Sequence, residues 1–282
     1  MDLDRFRREL SAAFDGDLLA HHPVDRRFRL LMDDVPGMSS ENKLALLNAA
    51  ASCLGDGESY VEVGSWKGLS IIAAILGNER GSYYAIESFR GFGVDVPAAV
   101  AEMEANLSRW NVRHRLTLVQ DNAFRALASP GWLGGPIGVF FYDGSHDRLA
   151  QYLALGMAEP HLADTALVIV DDTSRPVVGR ATSEYVRAHP GYRLLFDLEA
   201  RYESDPRWWN GVRVYGFERP TTARRRNRGD LAWRRAVYLH AYEPATWAIA
   251  RVAHRALSGR PRLTTAARRV ASLLQPRVKQ AR

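Results

Sequence analysis

The sequence contains a single cysteine, Cys53, in 282 residues, which excludes an internal disulfide framework. Cys53 lies in an apolar stretch with helical character, so it is predicted to be a small core residue. No run of about 18 apolar residues occurs, so no membrane-spanning helix is predicted. The N-terminus lacks the basic and apolar segments of a signal peptide. These absences favour a cytoplasmic location.

Two phosphate-binding patterns are also missing. The sequence has no Gly-x-Gly-x-x-Gly motif after a predicted strand, and it has no Gly-Lys-Ser/Thr motif. These patterns bring backbone N–H groups close to the phosphates of dinucleotides and nucleoside triphosphates. Both kinds of nucleotide are therefore disfavoured as ligands.

Positive charge is concentrated at one end of the chain. The net charge is +6, but residues 220–282 hold fifteen Arg and Lys against two acids, so the preceding body is mildly acidic. The tail begins with the Arg-rich stretch 224–228, which would suit the phosphates of RNA. Aromatic and apolar residues between the arginines would equally suit an anionic membrane surface or a protein partner. A solvated extension and a contact between copies in a homo-oligomer are further alternatives; the residues concerned are Trp233, Tyr238, Trp247 and Ile249.

Short apolar segments alternate with helical patterns along the body of the chain, which predicts an α/β fold with a doubly wound, mostly parallel seven-stranded sheet. We predict a helical N-terminal lid segment over residues 1–40, a central domain over 41–219, and a basic helical tail over 220–282. Seven strands are predicted, at Tyr60–Val63, Ser82–Ile86, Leu116–Val119, Ile137–Tyr142, Ala166–Val170, Tyr192–Leu198 and Val212–Phe217.

Acidic residues follow the fourth and fifth predicted strands. Asp143 follows the fourth, and Asp171 and Asp172 follow the fifth. Carboxylates at the C-terminal edge of a parallel sheet lie where open α/β folds bind ligands. Three converging carboxylates repel one another, and a divalent cation with oxygen ligands would relieve the repulsion. The alternative is that they are separate caps and turn residues.

A glycine turn follows the first strand, in the sequence Glu62-Val-Gly64-Ser-Trp-Lys-Gly68-Leu-Ser70. Glycines allow a tight turn and a close approach to a ligand, although a purely structural turn would look the same. Glu87 ends the second strand 23 residues after Gly64, near the roughly 20-residue spacing of a carboxylate that binds a ribose diol. Asp121, after the third strand, could reach an adenine amino group or cap the next helix.

The segment Glu-Val-Gly-x-x-x-Gly-x-Ser resembles motif I of the class I S-adenosylmethionine-dependent methyltransferases. It is most similar to the metal-dependent O-methyltransferases of the catechol and caffeoyl-CoA type and to related enzymes that act on antibiotic sugars. Ile86-Glu87-Ser-Phe-x-Gly-Phe resembles the segment after strand two in the antibiotic-sugar group. The similarity covers residues 40–218 and implies a Rossmann-like fold. Trp66 and Lys67 are bulkier than the residues expected in the turn.

The resemblance implies an S-adenosylmethionine site at the glycine turn and the ends of strands two and three. It would comprise Glu62, Gly64, Ser65, Gly68, Ser70, Glu87, Ser88, Asp121, Asn122 and Ala123.

The resemblance also implies that Asp143, Asp171 and Asp172 hold Mg²⁺ or Mn²⁺, which would bind the substrate hydroxyl and lower its pKa. Asp143 and His146 are the predicted catalytic residues. His146 stands where the catechol-type enzymes have a lysine general base, and an imidazole titrates near neutrality. Its alternative role is a histidine at a helix N-terminus, hydrogen-bonded to Asp147 or to solvent.

The predicted function is methylation of a hydroxyl on a small molecule such as a sugar, a polyketide, a glycolipid or a phenolic, as in natural product biosynthesis. The alternative is an RNA-binding protein or RNA methyltransferase that uses the Arg-rich tail. It is less favoured, because the sequence has neither an RNA-recognition module nor the Asn-Pro-Pro-Tyr motif. Trp208 and Trp209 are candidates for the wall of an acceptor pocket or for packing.

Overall fold

A computed structural model describes residues 1–90, 94–221, 228–246, 248, 249 and 252. Within these residues, seven strands form one sheet in the order β3-β2-β1-β4-β5-β7-β6, which confirms the predicted fold. The strands are β1 (Ser59–Val63), β2 (Ser82–Ile86), β3 (Leu116–Val119), β4 (Ile137–Tyr142), β5 (Leu162–Asp171), β6 (Tyr192–Leu198) and β7 (Val212–Glu218).

The order of the strands determines where a ligand can bind. Strands β1 to β5 pair in parallel, whereas β7 pairs antiparallel with both β5 and β6. The chain runs outward from β1 to β3, then returns to place β4 on the other side of β1. This reversal leaves a crevice outside the carboxyl ends of β1 and β4, the position at which doubly wound sheets bind ligands.

The helices occupy both faces of the sheet. Helix α6 has only four residues, which are too few for a periodic pattern, and the sequence indicated it only as the helix that Asp121 was considered to cap. The helices are α1 (Leu3–Ala12), α2 (Arg27–Asp34), α3 (Glu41–Ser52), α4 (Leu69–Ile75), α5 (Val96–Arg109), α6 (Ala123–Ala126), α7 (Arg148–Ala158), α8 (Pro176–Ala188) and α9 (Arg228–Val237), with 3₁₀ turns at Arg113–Arg115 and Glu159–His161 and a π-helical turn at Tyr238–Tyr242.

Polar side chains begin several of these helices. Ser40, Asp95 and Asp147 accept hydrogen bonds from the backbone N–H groups of α3, α5 and α7, respectively. Such caps satisfy N–H groups that have no partner within the helix. The beginnings of α3 and α7 are thereby fixed, and both helices carry or adjoin residues of the candidate site.

The apolar residues form two clusters, one on each face of the sheet. Phe141 belongs to the cluster that includes α1 to α5, whereas its neighbour Phe140 belongs to the cluster with α7 and α8. Successive side chains of a strand point to opposite faces, and a strand covered on both faces is apolar throughout. Cys53 is free and buried in the first cluster, as expected.

The N-terminal segment packs into this core. Phe6 and Leu10 of α1 and Leu31 of α2 are all 0% exposed and belong to the same cluster as the strands. Burial of these side chains stabilises each by about 2 kcal/mol relative to exposure. The segment is therefore anchored, and its role as a lid over an acceptor stays a prediction.

The first part of the basic tail also packs against the domain. Helix α9 lies on α7, where the Arg234 guanidinium sits 4.8 Å from the centre of the Tyr152 ring. The predicted Arg-rich stretch falls mainly on residues 222–227, outside the described residues, as do Trp247 and residues 253–282. No helix of the described part is long and apolar enough to cross a membrane.

Candidate functional site

The glycine turn closes directly on the end of the neighbouring strand β4. Gly64 has φ of 93°, and a Cβ atom there would lie 2.0 Å from the backbone oxygen of Asp143. Only glycine permits both this conformation and this approach. Gly68, with φ of 91°, precedes α4. The turn thus keeps its backbone exposed at the crevice between β1 and β4.

Glu87 connects the end of β2 to this turn. Its carboxylate accepts hydrogen bonds from the backbone N–H of Trp66 at 2.9 Å and from that of Phe89 at 2.7 Å. A carboxylate has about four acceptor positions, so Glu87 retains capacity for a ligand hydroxyl. The two backbone contacts orient the carboxylate at the crevice.

Glu62 supports the turn from inside the protein. It is 0% exposed and accepts hydrogen bonds from the Ser70 hydroxyl at 2.6 Å and the Tyr60 hydroxyl at 3.2 Å. Burial raises the pKa of the Glu62 carboxyl from 4.5 to about 7, because the charged form loses its hydration. Glu62 therefore holds β1 and the start of α4 together.

A cleft of about 520 Å³ lies at this edge of the sheet. It is bounded by residues of β1, β2 and β4, by the segment after β3, and by the first part of the basic tail, residues 228–246, which we call the C-terminal extension. Its lining consists of Val63, Gly64, Ile86, Glu87, Ser88, Arg90, Asp121, Asn122, Ala123, Phe124, Tyr142, Asp143, Gly144, Ser145, Asp147, Tyr238, Tyr242, Glu243 and Thr246.

The charge of this lining is strongly one-sided. Among the described residues of the lining, Arg90 is the one basic side chain, against five carboxylates: Glu87, Asp121, Asp143, Asp147 and Glu243. A cleft lined by one sign of charge concentrates ligands of the opposite sign. The cleft therefore favours a cationic ligand and disfavours one that carries several phosphates.

Asn122, rather than Asp121, caps α6. The Asn122 side-chain oxygen accepts a hydrogen bond from the Phe124 N–H at 2.9 Å. The Asp121 carboxylate accepts one from the Asn122 N–H at 2.7 Å. The capping role considered for Asp121 is therefore wrong by one residue, and Asp121 contributes its charge to the cleft lining.

The second acidic cluster lies beside the cleft, at the ends of β4 and β5. Nε2 of His146 is 3.1 Å from a carboxylate oxygen of Asp172 and 3.9 Å from one of Asp143. Burial would lower the pKa of His146, but the neighbouring carboxylates of Asp143 and Asp172 outweigh it and raise the pKa. The Asp147 carboxylate caps α7 and accepts a hydrogen bond from the Ser145 hydroxyl, and the structure shows no hydrogen bond between it and His146.

Positive side chains fill the rest of this cluster. Lys43 of α3 is 1% exposed and donates from its ammonium group to Asp171, which is 3% exposed. Burial raises the pKa of Asp171, and the Lys43 ammonium opposes this shift. The Arg175 guanidinium lies 3.0 Å from Asp172. The two aspartates at the end of β5 thus each have a cation against them.

A family model described as "Methyltransferase domain" matches residues 61–173, which include the glycine turn, the lining after β3 and all three aspartates. This chain contains a methyltransferase domain. Together with the seven-stranded fold, the match confirms the predicted class I S-adenosylmethionine-dependent methyltransferase. No curated protein matches the sequence.

Solved structures share the fold of this methyltransferase. The cofactor-bound Rv0187 from MTB is 20% identical, with a TM-score of 0.54 over 78% of this chain and 97% of that one. A putative O-methyltransferase from Klebsiella pneumoniae is 18% identical, with a TM-score of 0.52 over 70% and 92%. The O-methyltransferase TomG from Streptomyces achromogenes, in complex with SAM, is 15% identical, with a TM-score of 0.53 over 75% and 99%.

The predicted cofactor residues divide into two groups in this methyltransferase. One group lines the cleft, and the other lies in the glycine turn or buried beneath the cleft lining. The lining group is Gly64, Glu87, Ser88, Asp121, Asn122 and Ala123, and the group behind it is Glu62, Ser65, Gly68 and Ser70.

The predicted metal site does not fit the observed arrangement. Among the described residues, no group of three His, Cys, Asp or Glu side chains is placed to hold a metal ion. The physical reason is that Lys43, His146 and Arg175 already compensate the carboxylates that would be ligands. A metal ion in the same space would be repelled by the positive charges of these side chains.

Sequence reasoning missed Lys43, although a signal was present. Lys43 lies three and four residues before Leu46 and Leu47, on the same face of a helix. Lysine is almost never buried without a partner. A lysine on the buried face of α3 therefore required a carboxylate, which the fold supplies at the end of β5.

Trp208 belongs to the core. It is 2% exposed, packs against the ring of Phe14 at 5.7 Å between ring centres, and donates its indole N–H to the Leu18 oxygen. This favours the packing interpretation over an acceptor pocket. Trp209, which is partly exposed with φ of 55°, stays a candidate for acceptor contact.

Proposed function

We propose that the protein is an S-adenosylmethionine-dependent O-methyltransferase that acts on a hydroxyl of a small molecule. The observation that carries this proposal is the strongly acidic cleft at the switch point of the sheet. S-adenosylmethionine bears a sulfonium and an ammonium group against one carboxylate, so it is a net cation. Nucleotides with several phosphates would be repelled by the same lining.

The cofactor fits the cleft with its parts distributed along the strand ends. The glycine turn at Gly64 would hold the methionine portion, and the Glu87 carboxylate would accept hydrogen bonds from the ribose diol. Asp121 and Asn122 would face the adenine. The hydrogen bonds from the Trp66 and Phe89 N–H groups, which orient Glu87, support this placement.

His146 is the proposed general base. It would take the proton of the acceptor hydroxyl while the oxygen forms a bond to the methyl carbon and the carbon–sulfur bond breaks. The products are the methyl ether and S-adenosylhomocysteine. Asp172, 3.1 Å from Nε2 of His146, would orient the ring and stabilise the imidazolium. Asp143, at 3.9 Å, would contribute to the same stabilisation.

The predicted requirement for Mg²⁺ or Mn²⁺ stays a prediction, and the side chains present argue against it. Lys43 and Arg175 supply positive charge beside Asp171 and Asp172. We therefore propose a transfer in which positioning and the His146 base suffice, since S-adenosylmethionine is itself a strong alkyl donor. Activity should persist in EDTA; loss of activity in EDTA and recovery with Mg²⁺ would restore the predicted metal.

Natural products are the proposed acceptor class, including sugars, polyketides, glycolipids and phenolics. TomG, which shares the fold, is involved in tomaymycin synthesis, and that supports the class without naming an acceptor.

The proposed tail partner is an anionic membrane surface or a protein. Trp233 and Ile249 are 66% and 69% exposed and therefore accessible to it. Binding to anionic liposomes would support it, and binding to RNA alone would favour the RNA alternative.

Calorimetric titration with S-adenosylmethionine tests the cofactor assignment. The wild type should bind, and Glu87→Ala should bind at least tenfold more weakly, because a charge-assisted hydrogen bond contributes about 1.5–3 kcal/mol. Glu79→Ala, which removes an exposed glutamate, is the control. Absence of binding by the wild type would refute the proposed function.

Turnover of the His146→Ala variant tests the base. It should fall by about 10²–10⁴-fold, the usual contribution of a general base, while cofactor affinity is retained. His114→Ala, at an exposed position away from the cluster, should keep full turnover. Unchanged turnover of His146→Ala on its acceptor would remove His146 from the mechanism.

A further inference from the structure

We infer that the C-terminal extension completes the cofactor cleft, with Tyr242 and Glu243 forming the wall at its adenine end. Tyr238, Tyr242, Glu243 and Thr246 all line the cleft, although they lie beyond the region that matches the methyltransferase domain. This inference rests on the proposed function, because it assumes that the cleft binds S-adenosylmethionine.

A direct contact fixes which end of the cleft the extension covers. The side-chain N–H group of Asn122 lies 3.2 and 3.3 Å from the two carboxylate oxygens of Glu243 and donates to them. Asn122 also caps α6 and belongs to the segment after β3. Glu243 is therefore held beside the segment proposed to face the adenine ring.

The extension is anchored on both sides of this contact. Tyr238 is 6% exposed, and its ring meets the ring of Phe124 edge-on at 4.8 Å. Earlier in the extension, Leu231 lies against Gly156 of α7 so closely that a Cβ on Gly156 would be 2.6 Å from Leu231. These contacts hold Tyr242 and Glu243 in place before a ligand enters.

Local backbone geometry turns the two side chains toward the cleft. Residues Tyr238–Tyr242 form a π-helical turn, in which the Glu243 N–H donates to the Tyr238 oxygen five residues earlier. Such single turns widen a helix and often occur at functional sites. The ring of Tyr242 lies 5.5 Å from that of Tyr238, centre to centre. Tyr242 lines the cleft and is 41% exposed, so part of its surface is accessible to a ligand.

The chemistry of these residues suits an aminopurine. An aromatic ring such as Tyr242 can stack on the face of a base. The carboxylate of Glu243 can accept a hydrogen bond from an exocyclic amino group. The extension would therefore contribute to adenosine binding and would take no part in methyl transfer itself.

Calorimetric titration with S-adenosylhomocysteine and with adenosine tests the inference. Tyr242→Ala should lower the affinity for both ligands by about tenfold or more, since stacking of a base on an aromatic side chain commonly contributes that much. Glu243→Gln should weaken both by a smaller factor, and Tyr242→Phe should retain wild-type affinity. Trp233→Ala is the matched control, because Trp233 lies on the same extension but does not line the cleft.

The outcomes separate the two proposals. If the wild type binds both ligands and Tyr242→Ala binds them equally well, the inference is overturned while the proposed function stands. If the wild type binds neither S-adenosylhomocysteine nor S-adenosylmethionine, the proposed function fails. Thermal denaturation of each variant identifies any loss of folding. If Tyr242→Ala is unstable, Glu243→Gln decides, because wild-type affinity in that variant would then overturn the inference.

Discussion

Two acidic regions lie side by side at the same edge of the sheet, and they differ in how their charge is compensated. Among the described residues, the cleft has five carboxylates against one arginine and is open, and one of the five, Asp143, also adjoins the aspartate cluster. The aspartate cluster has Asp171 and Asp172 almost fully buried, at 3% and 5% exposure, against Lys43, His146 and Arg175. The described lining of the cleft has a large excess of negative charge, whereas the aspartate cluster contains its own positive side chains.

This difference bears on which region can take a cationic ligand. Uncompensated carboxylates attract a cation, whereas carboxylates already paired with side chains gain little from one and must lose those partners first. The metal site that the resemblance implies depends on the residue types and positions of Asp143, Asp171 and Asp172 alone. That prediction takes no account of the residue that α3 brings against them.

The largest expected effect comes from removal of the Lys43 charge. Lys43→Met should lower the free energy of unfolding by about 3–5 kcal/mol, because it leaves Asp171 buried without its partner. Urea denaturation measures this change. Lys67→Met, which removes a more exposed ion pair with Glu102, should cost at most about 1 kcal/mol.

The same variant sharpens the comparison of the two regions. Lys43→Met leaves the cluster short of one positive charge, so Mn²⁺ should raise the melting temperature of the variant and not that of the wild type. The double variant Lys43→Met with Asp171→Asn should regain stability and lose the response to Mn²⁺. Stabilisation of the wild type by Mn²⁺ would contradict our account of the cluster.

The next effect concerns the contact between the glycine turn and β4. Gly64→Ala should destabilise the protein by about 3 kcal/mol or more, because the residue has a left-handed conformation and its Cβ would meet the Asp143 oxygen. Cofactor binding should also be lost in calorimetric titration. Gly131→Ala is the control, since a Cβ there meets nothing within 4 Å. Equal stability of the two variants would show that the turn is not closed on β4.

The smallest effect depends on pH. The pKa of Glu62 is raised from 4.5 to about 7 by burial, so its contribution to stability is fully present below pH 4.5 and is lost as pH rises through about 7. A shift of this size corresponds to roughly 3 kcal/mol at most. Glu62→Gln has no charge to bury. The free energy of unfolding of this variant, relative to that of the wild type, should therefore increase as the pH rises from 5 to 8.

Denaturation of both proteins at several pH values, without cofactor, measures that difference. Glu79→Gln, at an exposed position, is the matched control. A difference between Glu62→Gln and the wild type that stays constant with pH would show that Glu62 does not titrate in this range.

Much of the fold could be predicted from the sequence, because the pattern is local. Each buried parallel strand is a short apolar run with a turn after it, and β4 and β5 were predicted on this basis. The glycine turn and Glu87 were predicted for the same reason. They follow strands whose ends must meet at one edge, so their order in the chain is enough to place them together.

The partners of the charged residues could not be predicted in the same way. Lys43 and Asp171 are 128 residues apart, and Asn122 and Glu243 are 121 apart. Sequence patterns show that a lysine faces the core or that an extension is helical, but pairing across such distances depends on how helices pack on the sheet. The tail was interpreted through its charge and its interleaved aromatic residues as a surface for a partner, whereas Tyr238 and Tyr242 place its first part at the cleft.

The sequence by itself determined the strands of the sheet, the glycine turn and the acidic residues at the strand ends. Apolar runs and turn residues express preferences that act over a few neighbouring residues. Only the tertiary structure decided which carboxylates remain uncompensated, because charge balance depends on all the groups that packing brings together. Asp121 and Asp171 both follow apolar runs in the sequence. In the folded protein one faces an open cleft, and the other is paired with a buried lysine.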